Sequence, residues 1–271
     1  MNYTYPVPVG GLPPQGEMVG RQAVFTDAYA FIPHEVMTDI VTSLFPGWVN
    51  TRGWIIARPL SGFAETFAQY IMEIAPGGGS DTPEPDTGAE AVLFVVSGAL
   101  TLLLDGDEHV LGEGGYAYLP PSARWAVRNG TDETVTFHWI RKRYQPVAGL
   151  SEPDVLITSD AQTLPTPMPD TPKWSTTRFV DPADLRHDMH VNIVTFEGKS
   201  MIPFPETHVM EHGLYVLEGR ADYLLNTDWV GVKPGDFMWL RAFCPQACRV
   251  EEGRFRYLLY KDVNRHVELT L

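Results

Sequence analysis

Basic side chains are in short supply: 20 Lys and Arg stand against 34 Asp and Glu, a formal charge of −14 at pH 7. That balance leaves no positive footprint for nucleic acid and sets the chain against an anionic membrane surface. Long apolar runs are missing as well. No window approaches the ~20 consecutive apolar residues that span a bilayer, and the opening MNYTYPVPVGGLPPQGE has none of the basic-then-apolar order of a secretory leader. A soluble, cytoplasmic protein is expected. Cysteine is nearly absent: Cys244 and Cys248 are the two in the chain. On extended backbone their Cα atoms would stand ~13 Å apart, too far for a disulfide, so reduced thiols are expected.

What is abundant is punctuation. The 271 residues include 24 Gly and 23 Pro, with 44% apolar residues, which favours turns, short strands and a sizeable core over long helices. Short runs rich in Val, Leu, Tyr and Phe recur between turn residues: Phe67–Ile74, Ala91–Val96, Leu100–Leu104, Tyr116–Leu119, Val135–Ile140, then Asn192–Phe196, Leu214–Leu217, Tyr223–Leu225, Phe237–Leu240 and Phe255–Tyr260. They predict an all-β protein of barrel or sandwich type. The two halves also repeat. Gly77, Gly98 and Gly114 pair with Gly198, Gly219 and Gly235 at one offset of 121 positions, so one β-domain is expected twice. The stretch LITSDAQTLPTPMPDTPKW reads as a linker without a central strand, giving domains 1–164 and 165–271. One short helix is expected, at Pro182–Arg186 with Asp181 as its N-cap.

Chemistry concentrates in PETHVMEHGLYVLEG. Glu206, His208 and His212 are two and four positions apart, so on extended backbone they share a face. A carboxylate with two imidazoles suits divalent Mn, Fe or Zn better than Ca or Cu(I). Such a trio also occurs on solvated surfaces. The apolar run LYVL and the Glu218-Gly219 turn behind it favour a site, because they put the trio at the mouth of a strand entering a core. His187 and His190 in RHDMH are expected to be structural, with His190 a candidate for the cavity wall. Trp48, Trp54, Trp174, Trp229 and Trp239 read as packing residues. Cys244 and Cys248 share strand parity with Gln246, so one of them is a candidate soft ligand.

These residues resemble the cupin family, whose first motif runs Gly, five residues, His-x-His, three or four residues, Glu, six residues, Gly. Glu206 stands at the first His, His208 at the second, His212 at the Glu and Gly219 at the closing Gly. The second motif matches in spacing from Gly235 through RAFCPQ, with Arg241 at its Pro, Phe243 at its Gly and Gln246 at its His. The resemblance implies tandem cupin barrels (a bicupin of jelly-roll, double-stranded β-helix type), with Glu206, His208, His212 and Gln246 as metal ligands. The same offset puts Pro85, Thr87, Ala91 and Trp125 at the ligand positions of the first barrel, which is therefore expected to hold no metal and to brace the second barrel or a partner subunit, with Glu90 a residue that could still reach a ligand.

Over nearly the whole chain, GGYAYLPP, RKRYQPV, ETHVMEHGLYVLEG, KPGDFMW and YLLYKDVNRHVE are similar to the (S)-ureidoglycine aminohydrolase family. That resemblance implies Mn2+, or another divalent metal, and release of ammonia from (S)-ureidoglycine to give (S)-ureidoglycolate in allantoin and purine breakdown. It implies a substrate bound by Glu206, Tyr223, Gln246, Tyr257 and Lys261, with Glu206, Tyr257 and Lys261 catalytic. Lys261 would supply the cation for the substrate carboxylate. The alternatives are another manganese or iron bicupin enzyme, of oxalate-converting or dioxygenase type, and a non-enzymatic small-molecule-binding bicupin. Paired barrels leave sheet edges that favour a homo-oligomer.

Overall fold

In the computed structural model, residues 12, 14, 16, 20–38, 43, 45–169 and 171–262 are described. Strands dominate; among the described residues the helical elements are two single 3-10 turns, His34–Val36 and Pro59–Ser61. Nine of the ten expected runs lie wholly on strands and Phe67–Ile74 starts one residue ahead of its strand, while Leu100–Leu104 and Phe237–Leu240 agree to the residue. Others are found in addition. Trp48–Ala57 has a polar, Gly-containing middle that hides it from pattern reading. Its Gly53 admits the Phe45 ring and Met72: a Cβ there would stand 2.6 Å from Phe45 Cε2.

The chain divides into two compact units that are not simple halves. The first holds residues 43–164 and 178–190. Its nine-stranded antiparallel sheet runs Leu156–Ser159, Gly115–Leu119, Ala89–Ser97, Val135–Arg143, Ala68–Ser80, Trp125–Arg128, Leu100–Leu104 and Asp107–Leu111, with Trp48–Ala57 also pairing on Ala68–Ser80. Ala68–Ser80 meets Val135–Arg143 along its first half and Trp125–Arg128 at its end, so the sheet curls around one core of Met72, Leu93, Leu102, Val127 and Phe137.

The second unit holds residues 165–177 and 191–262 together with the described residues up to 38. An eight-stranded sheet runs Val24–Phe25, Tyr29–Ile32, Phe237–Leu240, His212–Glu218, Arg254–Asp262, Met189–Glu197, Thr171–Arg178 and Thr166–Met168. A four-stranded sheet runs Ser200–Met201, Gln246–Val250, Ala221–Leu225 and Asp228–Val232. Leu214, Val216 and Phe255 from the first and Tyr223, Leu225 and Cys248 from the second fill one core between them, the jelly-roll arrangement.

The duplication is legible in the backbone of each unit. Gly77 and Gly198 have φ of 70° and 60°, Gly98 and Gly219 both 78°, Gly114 and Gly235 76° and 90°. The offset also pairs two non-glycine left-handed positions, Asp105 at 49° and Asn226 at 58°. Gly219 is irreplaceable on space alone, since a Cβ would stand 1.9 Å from the Arg254 carbonyl oxygen.

Three sequence expectations are corrected. The chain does pass from one unit to the other at Leu164, but the units are not contiguous halves: Tyr29–Ile32 pairs with Phe237–Leu240 in the second unit, and 178–190 belongs to the first. The unpaired edge of Phe237–Leu240 needs backbone partners, and the early strand supplies them. The expected linker carries strands Leu156–Ser159, Thr166–Met168 and Thr171–Arg178, two of them at sheet edges where Pro is tolerated. No helix forms at Pro182–Arg186. The Asp181 and Asp184 carboxylates accept from the Ala183 and Arg186 N–H groups at 2.8 and 3.0 Å, closing local turns that compete with helix.

Buried Asp236 ties the early segment down. Arg21 donates to both of its oxygens, at 2.7 and 2.8 Å, and the backbone N–H groups of His34 and Lys233 donate to it at 2.8 and 2.9 Å.

Candidate active site

The sequence expects Glu206, His208 and His212 on one continuous strand. In the structure they are not on one: Glu206 is an isolated bridge, residues 207–211 bend, and His212 opens the strand His212–Glu218. The bend brings the imidazoles together all the same, with the His208 and His212 rings 4.9 Å apart. His208 Nε2 lies 3.5 Å from Glu206 Oε1.

Backbone bonds hold this shape. Glu206 and Gln246 exchange N–H···O=C bonds at 2.8 and 2.9 Å, which fixes Gln246 beside the cluster. Phe243 N–H donates to the His208 carbonyl at 2.7 Å. Phe243 manages this in a left-handed conformation, φ 64°, rare for a bulky residue. It stands where the second cupin motif has Gly.

Gln246 and His212 are buried, while Glu206 and His208 are partly open, so the cluster runs from wall to mouth. Tyr223 O–H donates to Gln246 Oε1 at 2.8 Å. Tyr223 and Tyr257 meet edge to face at 5.9 Å and share a hydrogen bond. Burial holds both phenols well above the ordinary tyrosine value. Across the strand pair His212 opposes Lys261 and Val216 opposes Tyr257, so Tyr257 and Lys261 lie on the same face as His212. Burial first, then the neighbouring His208 and Lys261, push His212 down to about 3, keeping it neutral at physiological pH.

A neutral imidazole needs no deprotonation to bind a cation. With a carboxylate, a second imidazole and an amide oxygen close by, the donor types fit a divalent metal. What the structure shows is adjacency in pairs: among the described residues no three His, Cys, Asp or Glu side chains converge as a ready-made metal cluster.

Neighbouring candidates sort by burial. Cys248 is a core residue paired with Tyr223, and Cys244 is buried next to the Arg241–Phe243 turn; both are free thiols. His187 packs edge-on against Tyr118 at 4.8 Å in the first unit. Trp54, Trp174 and Trp239 are buried, whereas Trp229 is 48% exposed and carries the Arg249 guanidinium over its ring. Sequence reading gives no weight to Glu211, yet it is buried beside His212 and accepts from Trp239 Nε1 at 2.7 Å. Its position next to a candidate ligand is the one signal that points to it.

The cupin domain family profile matches residues 70–141, within the first unit. The (S)-ureidoglycine aminohydrolase of Escherichia coli K12 is 32% identical over 232 residues, 85% of this chain and 87% of the relative. A probable (S)-ureidoglycine aminohydrolase of Oryza sativa is 34% identical over 83% of this chain and 71% of the relative. A crystal structure of a Pseudomonas aeruginosa protein described as glyoxylate-induced is 62% identical, covers all of both chains and superposes with a TM-score of 0.90. The matches extend through both units, so the chain belongs to the (S)-ureidoglycine aminohydrolase family, built on the cupin fold.

Proposed function

We propose that this chain hydrolyses (S)-ureidoglycine to (S)-ureidoglycolate and ammonia, with Glu206, His208, His212 and Gln246 holding a divalent cation, manganese first among candidates. In the reaction water adds its oxygen to the α-carbon, the C–N bond to the amine breaks, and the amine leaves as ammonia carrying a proton from that water. The observation that carries this reading is the shared wall: His212 directly opposes Lys261, and Gln246 is fixed by Tyr223.

When bound, the metal supplies Lewis-acid charge and orients the substrate about its chiral carbon. The remaining work falls to side chains. Lys261 meets the substrate carboxylate as an ammonium, and Tyr257, on the same strand face, adds a hydrogen bond beside it. Glu206, part-open at the mouth, accepts a proton from the attacking water. Neutral His212 and Gln246, its side chain held by Tyr223, would each offer a donor atom to the cation. The first unit, with Pro85, Thr87, Ala91 and Trp125 at the equivalent positions, takes no part in the metal chemistry. No described helix is long and apolar enough to cross a membrane, and a cytoplasmic homo-oligomer completes the reading.

The test is ammonia release from freshly generated (S)-ureidoglycine, above spontaneous decay, by manganese-loaded protein. Glu206→Ala is expected to lower the rate at least ~100-fold, in the range of a lost acid–base group. Full activity in that variant, or no acceleration by metal-loaded wild type, sinks the assignment.

A further inference from the structure

The strand Arg254–Asp262 carries Tyr257 and Lys261, both assigned to the substrate, and between them on the same face stands Leu259, packed against the core of the second unit. It directly opposes Leu214, the next inward-facing pair after His212 and Lys261. Strands flank it on both sides, His212–Glu218 and Met189–Glu197. Its neighbours on the outward face, Leu258 and Tyr260, are fully buried. Leu259 is nevertheless part-exposed, while Leu214, Val216 and Tyr257 around it are buried. Shut in sideways by two strands, its side chain can be open only toward the barrel interior.

That opening lies on the path of the substrate. Successive inward residues of one strand stand ~7 Å apart, so a small molecule held by Tyr257 and Lys261 lies across Leu259 and covers its apolar surface. The reacting carbon of (S)-ureidoglycine carries a carboxylate, an amine, a ureido group and a hydrogen. The first three are polar and call for charge, hydroxyl or donor atoms. The C–H calls for none of these, and an apolar wall suits it.

We infer that Leu259 determines which hand of the substrate is accepted, its side chain taking the C–H face of the chiral carbon. The inference rests on the (S)-ureidoglycine reading above. In the (R) enantiomer, with carboxylate and amine in the same places, the hydrogen and the ureido group change positions. The ureido N–H and C=O groups are then pressed on leucine, stripped of water and without partners.

Racemic ureidoglycine, freshly generated and given to the manganese-loaded full chain, tests this, with the ureidoglycolate formed resolved by chiral chromatography and the spontaneous background subtracted. Wild type is expected to give predominantly the (S) product. Leu259→Ala makes room for the misplaced ureido group and is expected to lower the (S):(R) product ratio at least ~10-fold, the scale on which a pocket wall discriminates. Leu259→Phe fills the same space and is expected to raise KM for the (S) substrate at least ~10-fold. A wild-type product ratio from an active Leu259→Ala, or a wild-type KM in Leu259→Phe, overturns the inference and leaves the hydrolase assignment standing. A wild type that does not accelerate ammonia release takes both down.

Discussion

The Tyr223 hydroxyl grips the Gln246 side-chain oxygen at 2.8 Å. An amide is a weak ligand with rotational freedom, so an orienting partner matters more to it than to an imidazole. Tyr223→Phe removes the bond with little change in shape. It is expected to lower manganese affinity ~10–100-fold, the usual cost of losing a ligand's supporting contact, and to destabilise the metal-free protein by about 1–3 kcal/mol, since the buried Gln246 oxygen loses its donor; metal titration by calorimetry or paramagnetic relaxation reads the first and thermal unfolding the second. Gln246 illustrates how far single residues were legible. Nothing in its side chain or neighbours marks it, and only motif spacing singles it out. Glu206, His208 and His212 are visible as a cluster, but the expected extended backbone is absent, because the approach from Pro205 to Glu211 bends rather than runs straight. Their proximity comes from the bend and from the grip of Phe243 on His208, which no periodicity reports.

Among the elements, the strand Tyr29–Ile32 shows where local reading stops. Its four residues resemble any short apolar run, and its partner Phe237–Leu240 lies some two hundred positions later. Pairing at that separation leaves no mark in either segment. The strands that were legible, such as Leu100–Leu104 and Phe237–Leu240, are bounded on both sides by turn residues; Trp48–Ala57 has its polar residues inside it. Asp236 is what secures the early strand, through bidentate Arg21 and the His34 N–H. Asp236→Ala removes an anion that four donors share, and is expected to destabilise the second unit by about 2–3 kcal/mol, since Arg21 keeps part of its solvent. Hydrogen exchange reads the effect locally: the amides of Phe31 and Met238 lose protection first, whereas those of Phe137 in the other unit keep theirs. Equal loss in both places would mean that Asp236 acts on the whole chain instead.

Across the whole molecule, the duplication was the most legible feature, because glycines at left-handed turns cannot drift without clashes such as that of a Cβ at 219 with Arg254. The exchange of segments between units was not legible, being a matter of which edge each strand covers. The molecule also has an acid limit set by histidines kept neutral inside. His138 is fully buried against Gln69 Nε2 at 3.2 Å, and burial lowers its value to about 3. The unfolded chain takes up a proton there near pH 6.5 and the folded chain does not, so stability falls as pH drops from about 6.5 towards 3. By pH 5 the loss attributable to His138 is about 2 kcal/mol. Urea unfolding at pH 7 and pH 5 measures it, and His138→Gln is expected to narrow that difference by about 2 kcal/mol, leaving the share of His212; an unchanged difference would assign the acid sensitivity elsewhere. The pairing of Tyr29–Ile32 with Phe237–Leu240 has a temporal meaning too. During synthesis, at roughly 5–20 residues per second, the early strand emerges tens of seconds before its partner exists. The first unit's sheet strands can be complete while the segment ahead of them still waits, so the last-made barrel is closed by some of the oldest part of the chain.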